Sequence, residues 1–166
     1  MYKYYSNIQV NELFLTECVS SVSGLDIKDS LRARCIGWNQ EISKTIGNLI
    51  IQHEKIGTYS LPWLHDYYPH SKSQVGELIV QVLHDGTPYA LIKVTGLQLL
   101  NFGDITSEHT ALDGPPVRDF NVWKDLHTKY WNSLLLSIGR KVEKDMPVII
   151  EKFLCIFPAD DKVSYA

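Results

Sequence analysis

The sequence predicts an α+β fold: a small, mostly antiparallel β-sheet curled toward a barrel, with helices before and around it. Three observations carry this. Apolar residues recur at helical spacing before residue 53 and again from Phe120 to about Ile138. Between and after these stretches lie runs rich in β-branched residues, set apart by glycines. Asp85-Gly86 separates two such runs, and this dipeptide is the strongest short-range hairpin signal.

Taken in order, Gln9 to Val22 carries Val10, Leu13, Phe14, Cys18 and Val22 on one helical face and ends at Ser23-Gly24. A second helix is expected from about Asn39 to His53, with Ile42, Ile46, Leu49 and Ile50 facing inward. Glu77 to His84 and Tyr89 to Thr95 read as the two hairpin strands, and Leu97 to Phe102, bracketed by Gly96 and Gly103, as a further one. Phe120 to Ile138 places Trp123, Leu126, Trp131, Leu134 and Leu135 on one face, with Asp119 as N-cap. Pro147 to Phe157 reads as a long strand, stopped by Pro158 and the acidic Asp160-Asp161. No repeat, low-complexity segment or linker divides the chain, so its 166 residues form one domain: a helical extension over 1–35, a core over 36–158 and a tail over 159–166.

Apolar residues make up 45% of the chain and charged residues 21%, which is soluble globular composition. No apolar run approaches the roughly 18 residues that span a bilayer. The Met1-Tyr2-Lys3-Tyr4-Tyr5 start has no signal-peptide core. Cys18, Cys35 and Cys155 are odd in number and lack metal-ligand spacing, so reduced, buried thiols in a cytoplasmic protein are expected. The net charge of −3 argues against a broad phosphate-gripping surface. The basic stretches Lys28, Arg32 and Arg34, then Lys124 and Lys129, then Arg140 and Lys141, read as solvated helix faces. A nucleic-acid contact would therefore be local. His109 and His127 lack a carboxylate at ligand spacing, and no phosphate-cradling glycine motif occurs, so neither metal nor cofactor is expected.

The stretch from His53 to Ser60 carries the candidate chemistry. Lys55 and Thr58 stand three apart where a helix gives way to strand. Lysine beside a hydroxyl is either a basic strand edge or an activated nucleophile. Other motifs follow in order: Trp63, Gly76-Glu77, Asp85-Gly86, Ala90 to Thr95, Phe102-Gly103-Asp104-Ile105, Ala111-Leu112-Asp113-Gly114, Trp123-x-x-x-His127, and Met146-Pro147-Val148 with Glu151 and Phe153. In this order and spacing they resemble the ASCH domain (activating signal cointegrator homology), over roughly residues 36 to 158.

The resemblance implies a PUA-like fold, a small β-barrel flanked by helices. It also implies a cleft, lined by a G-x-K-x-x-T motif, that binds RNA or a modified nucleoside or nucleotide. Some members resemble amidohydrolases that remove acyl groups from the exocyclic amine of cytidine. On that pattern Thr58 is the nucleophile, Lys55 its base and Asp113 the accompanying carboxylate; an RNA-processing hydrolase is a related possibility. Two departures stand out. His53 occupies the motif's glycine, which elsewhere permits a tight turn. Asp113 replaces a glutamate and is one methylene shorter.

Each candidate also has a plainer reading. Lys55 is a cleft group or a solvated lysine. Thr58 is a ligand contact or an ordinary strand residue, with Gly57 baring the backbone before it. Ser60 donates to a ligand or caps the turn at Leu61-Pro62. Asp113 pairs with Lys55 or holds the Gly114-Pro115-Pro116 turn. Tyr59 and Trp63 stack on a base or pack. Trp123 and His127, four apart, read as packing. An interaction domain that dimerises through its aromatic N-terminus or the Leu134 to Ile138 segment is the non-enzymatic alternative.

Overall fold

The computed structural model describes residues 4–5, 12–25, 27 and 31–158. Among the described residues six strands form one sheet: β1 (Tyr4–Tyr5), β2 (Arg32–Arg34), β3 (Gly57–Ser60), β4 (Leu78–Val82), β5 (Pro88–Asn101) and β6 (Pro147–Phe157), in the order β1-β2-β4-β5-β6-β3. Among these strands β2 and β4 pair in parallel and the other pairs are antiparallel. Among the described residues four α-helices accompany the sheet, α1 (Glu12–Ser21), α2 (Gln40–Ile51), α3 (Ser107–Thr110) and α4 (Phe120–Leu135), along with short 3-10 turns.

The α+β class and the mostly antiparallel sheet match expectation; closure into a barrel does not. β1 and β3 are the opposite edges and do not pair. The outer edge of β3 is met instead by a loop, where the Ile56 N–H donates to the Leu112 carbonyl at 2.9 Å.

Both sheet faces are covered. On one, Phe14 and Cys18 of α1 pack with Val80, Val82, Leu91 and Ile156. On the other, Ile50 of α2 packs with Ile79, Ala90, Ile92, Val94 and Phe153. Both faces of β4 are buried, so the strand lacks polar alternation and Gln81 is its one polar residue, itself fully buried. α4 seals the β3–β6 end, where Trp123, Trp131 and Leu135 meet Tyr59, Val148 and Ile150.

The caps behave as the residue types dictate. The Asn39 side chain accepts from the Ile42 N–H at 2.8 Å, and Asp119 accepts from Asn121 and Val122. Asp85-Gly86 turns the β4–β5 hairpin with Gly86 at φ 91°. The two strands expected either side of Gly96 are one 14-residue strand, because a bulge that leaves Thr95 unpaired, between Val94 and Gly96, carries the strand through the glycine. Arg32 and Arg34 lie on a strand rather than a solvated helix face. Lys28 and the 159–166 tail lie outside the described residues, as does all but Tyr4-Tyr5 of the aromatic start. The three cysteines are buried and form no disulfide with one another, and burial pushes the Cys18 and Cys155 thiols up to about 11. No described helix is long and apolar enough to cross a membrane.

Candidate functional site

Lys55 is aimed by the way α2 ends. The Glu54 N–H donates to the Leu49 carbonyl at 2.8 Å and the His53 N–H to that of Ile50 at 3.1 Å, the bond pattern of a Schellman turn. Such a turn needs one left-handed residue, and His53 takes it at φ 56°. A glycine would take this conformation without strain; His53 adopts it at a cost. The Lys55 N–H also reaches the Leu49 carbonyl at 3.0 Å, so the turn fixes where the side chain leaves the backbone.

Asp113 is brought opposite by the loop after α3. Its own N–H donates to the Thr110 carbonyl, and the Thr110 hydroxyl donates to the Arg118 carbonyl. Arg118 in turn donates to the Glu54 carbonyl and carboxylate, tying this loop to the Lys55 turn. The result is a Lys55 Nζ to Asp113 Oδ1 contact of 2.5 Å between side chains 4% and 9% exposed. The same Oδ1 accepts from the Gly114 N–H at 2.9 Å.

This pair borders a cavity of about 210 Å³. Its walls come from α2, the 113–117 loop, α4 and the Gly37-Trp38 corner. Thr58 and Tyr59 of β3 line it as well. Lys55 and Thr58, three apart in sequence, therefore share one cavity with the distant Asp113. Tyr59 borders it from the core: its hydroxyl donates to the His109 carbonyl at 2.9 Å. Burial, and secondarily the charge of Asp113, drives the Tyr59 phenol well above its usual range, so it stays neutral.

The other sequence candidates fall elsewhere. Gly57 is where β3 presses on its neighbours: a Cβ there would lie 2.8 Å from both the Glu151 carbonyl oxygen and Leu112 Cβ. Trp63 lies beneath the Arg140 guanidinium, 4.0 Å from its ring centre. Ser60 makes no cap for the Pro62–Leu64 turn and lines a second cavity. His53 holds the turn rather than the wall.

Three residues read as packing, or passed over, do line the first cavity: His127, Tyr130 and Trp38. His127 stacks on Trp123 with ring centres 4.2 Å apart. Its Nδ1–H donates to the Trp123 carbonyl at 2.9 Å, which leaves Nε2 as the ring's acceptor. Burial lowers its pKa to about 4, so the ring is neutral at physiological pH. Trp38 is 46% exposed and leans on Tyr130 at 6.1 Å, an aromatic pair beside the cavity. The one available signal was the helical spacing of Trp123, His127 and Tyr130; Trp38 had none. Among the described residues no group of three or more His, Cys, Asp or Glu is arranged to hold a metal.

The ASCH-domain family model matches residues 34–156, most of the chain, and the protein belongs to that family. Two solved structures share its fold. An ASCH domain from Lactobacillus crispatus JV V101 superposes with a TM-score of 0.78 at 22% identity, covering 92% of this chain and 98% of that one. A protein from Enterococcus faecalis V583 superposes with a TM-score of 0.74 at 16% identity, covering 87% and 86%. No curated protein matches the sequence.

Proposed function

We propose that the cavity beside Lys55 and Thr58 binds a single nucleobase, as part of a modified nucleoside, a nucleotide or one splayed-out residue of RNA. The carrying observation is the convergence of the Lys55–Asp113 pair, Thr58 and His127 on one apolar-walled space of about 210 Å³. An apolar cavity of about 150 Å³ accommodates benzene, so this volume suits one planar ring with substituents. Ligand pockets combine such walls with a few convergent polar groups. Here those groups offer donors from Lys55 and Thr58 and acceptors from Asp113 and neutral His127, which matches the mixed edge of a base. Trp38 supplies an aromatic face at the side, and base–aromatic stacking is worth about 1–3 kcal/mol.

Cleavage of an N4-acylcytidine-type substrate is the second reading, supported by a hydroxyl, a lysine and a carboxylate on one cavity. The Thr58 oxygen would attack the acyl carbon as Lys55 takes the hydroxyl proton. The acyl–N4 bond would then break, the departing amine taking that proton from Lys55, and water would hydrolyse the acyl-threonine to release the acid. Asp113 would orient Lys55 throughout. For Lys55 to accept that proton it must first give one up, and Asp113 at 2.5 Å is the group placed to receive it.

Calorimetric titration with cytosine, cytidine, N4-acetylcytidine and a short single-stranded RNA tests the binding. Saturable binding of base or nucleoside, weakened by Trp38→Ala and lost in Lys55→Met, is expected. A protein that binds none of the four has another function. Absorbance of N4-acetylcytidine on incubation tests the chemistry, and turnover that persists in Thr58→Ala would remove Thr58 as nucleophile.

A further inference from the structure

We infer that a second cavity, across the Thr58–Glu151 strand pair from the first, holds the ribose of the same ligand and reads its hydroxyls. The inference rests on the nucleobase reading of the first cavity. The second space is about 250 Å³ and is lined by Ser60, His65, Lys72, Ser73, Gln74 and Glu151, with Leu97 and Ile149 beneath.

Sheet geometry makes the two cavities neighbours. Thr58 of β3 pairs directly with Glu151 of β6, and Ser60 with Ile149. Directly opposed residues point to the same face with Cβ atoms about 5 Å apart. Thr58 lines the first cavity and Glu151 the second. Thr58 and Ser60 also share that face, about 7 Å apart along the strand. A ligand seated on Thr58 therefore extends toward Glu151 and Ser60.

The lining selects the chemistry. Glu151 is buried, and Arg34 grips both its oxygens, at 3.1 and 2.9 Å. Burial alone would raise its pKa, but the Arg34 charge and hydrogen bonds hold the carboxyl below the usual range. It is a fixed carboxylate: Arg34 takes two of its acceptor positions and Ser73 a third, which leaves about one of four open. His65 is 6% exposed, and its Nε2 has no hydrogen-bond partner among the described residues. Burial, and secondarily the charge of Lys72, lowers its pKa. An anion in this space would face Glu151, and a cation would face Lys72. A hydroxyl both donates and accepts, so it satisfies the carboxylate, the imidazole and the serines together. A buried polar atom such as His65 Nε2 costs free energy until a partner arrives. The ribose 2′-OH is such a partner, and it is the group that separates RNA from DNA.

Calorimetric titration with cytosine, cytidine and 2′-deoxycytidine tests this. Cytidine should bind roughly tenfold more tightly than either of the others, the scale of one hydrogen bond to a charged group. Ser60→Ala and His65→Gln, each checked for an unchanged melting profile, should erase most of that preference while leaving cytosine binding in place. If cytosine binds and the ribose adds nothing, or if the preference survives both substitutions, the ribose assignment falls and the first-cavity reading stands. Failure of all three to bind overturns both.

Discussion

Replacing Asp113 by Asn leaves a lysine ammonium in a site where its own side chain is 4% exposed, with the carboxylate 2.5 Å away gone. Removing one member of a buried ion pair costs about 3–5 kcal/mol, because the survivor keeps its desolvation penalty without its partner. A further loss follows from Oδ1 accepting the Gly114 N–H at 2.9 Å, which a wrongly turned amide cannot replace. For a chain of this length each kcal/mol shifts Tm by roughly 2–4 °C, so a drop of about 6–20 °C is expected. Lys55→Met should fall in the same range, since it strands the carboxylate. The double variant Lys55→Met with Asp113→Leu puts apolar groups of similar size in the same space and should recover most of the loss. Thermal melts of the four proteins complete a double-mutant cycle. A loss below about 1 kcal/mol in Asp113→Asn would mean that water reaches the pair and screens it. A double variant no better than the worse single would mean that the polar groups themselves hold the 113–117 loop.

Two more outcomes follow from the same geometry. His127 has its pKa lowered to about 4 in the fold, against about 6.5 unfolded, so the unfolded chain binds more protons between these values. Stability is fully present above pH 6.5 and falls as the pH drops toward 4, by on the order of 2–3 kcal/mol from this group; urea midpoints measured across that window should flatten in His127→Gln. His53→Gly relieves a side chain held at φ 56° in the α2 turn. It should raise stability by about 0.5–1 kcal/mol in denaturant melts, and a loss would mean that the imidazole makes contacts worth more than the strain.

Much of the fold was legible because its signals are local. Asn39 and Asp119 sit where their side chains can cap, and Gly86 after Asp85 supplies the positive φ that the hairpin loop needs. The α2 and α4 periodicities each mark a face buried against the sheet. The 14-residue β5 was misjudged at Gly96, because a bulge tolerates a glycine that would otherwise end a strand. β2 carried too few residues for any period to show, so Arg32 and Arg34 gave no sign of being strand residues.

The sequence alone determined the class, the caps, the hairpin and the family, through residue types at fixed spacing. It also placed Lys55, Thr58 and Asp113 in one motif set, and these line one cavity. Only the tertiary structure decided which neighbours join them. His127 and Trp38 line the same cavity from a helix and a corner 89 positions apart, a proximity that no spacing rule encodes. Arg34 and Glu151, 117 positions apart, meet as a buried pair. Local chemistry writes turns and helix faces into the sequence; contacts between distant segments depend on how the elements pack.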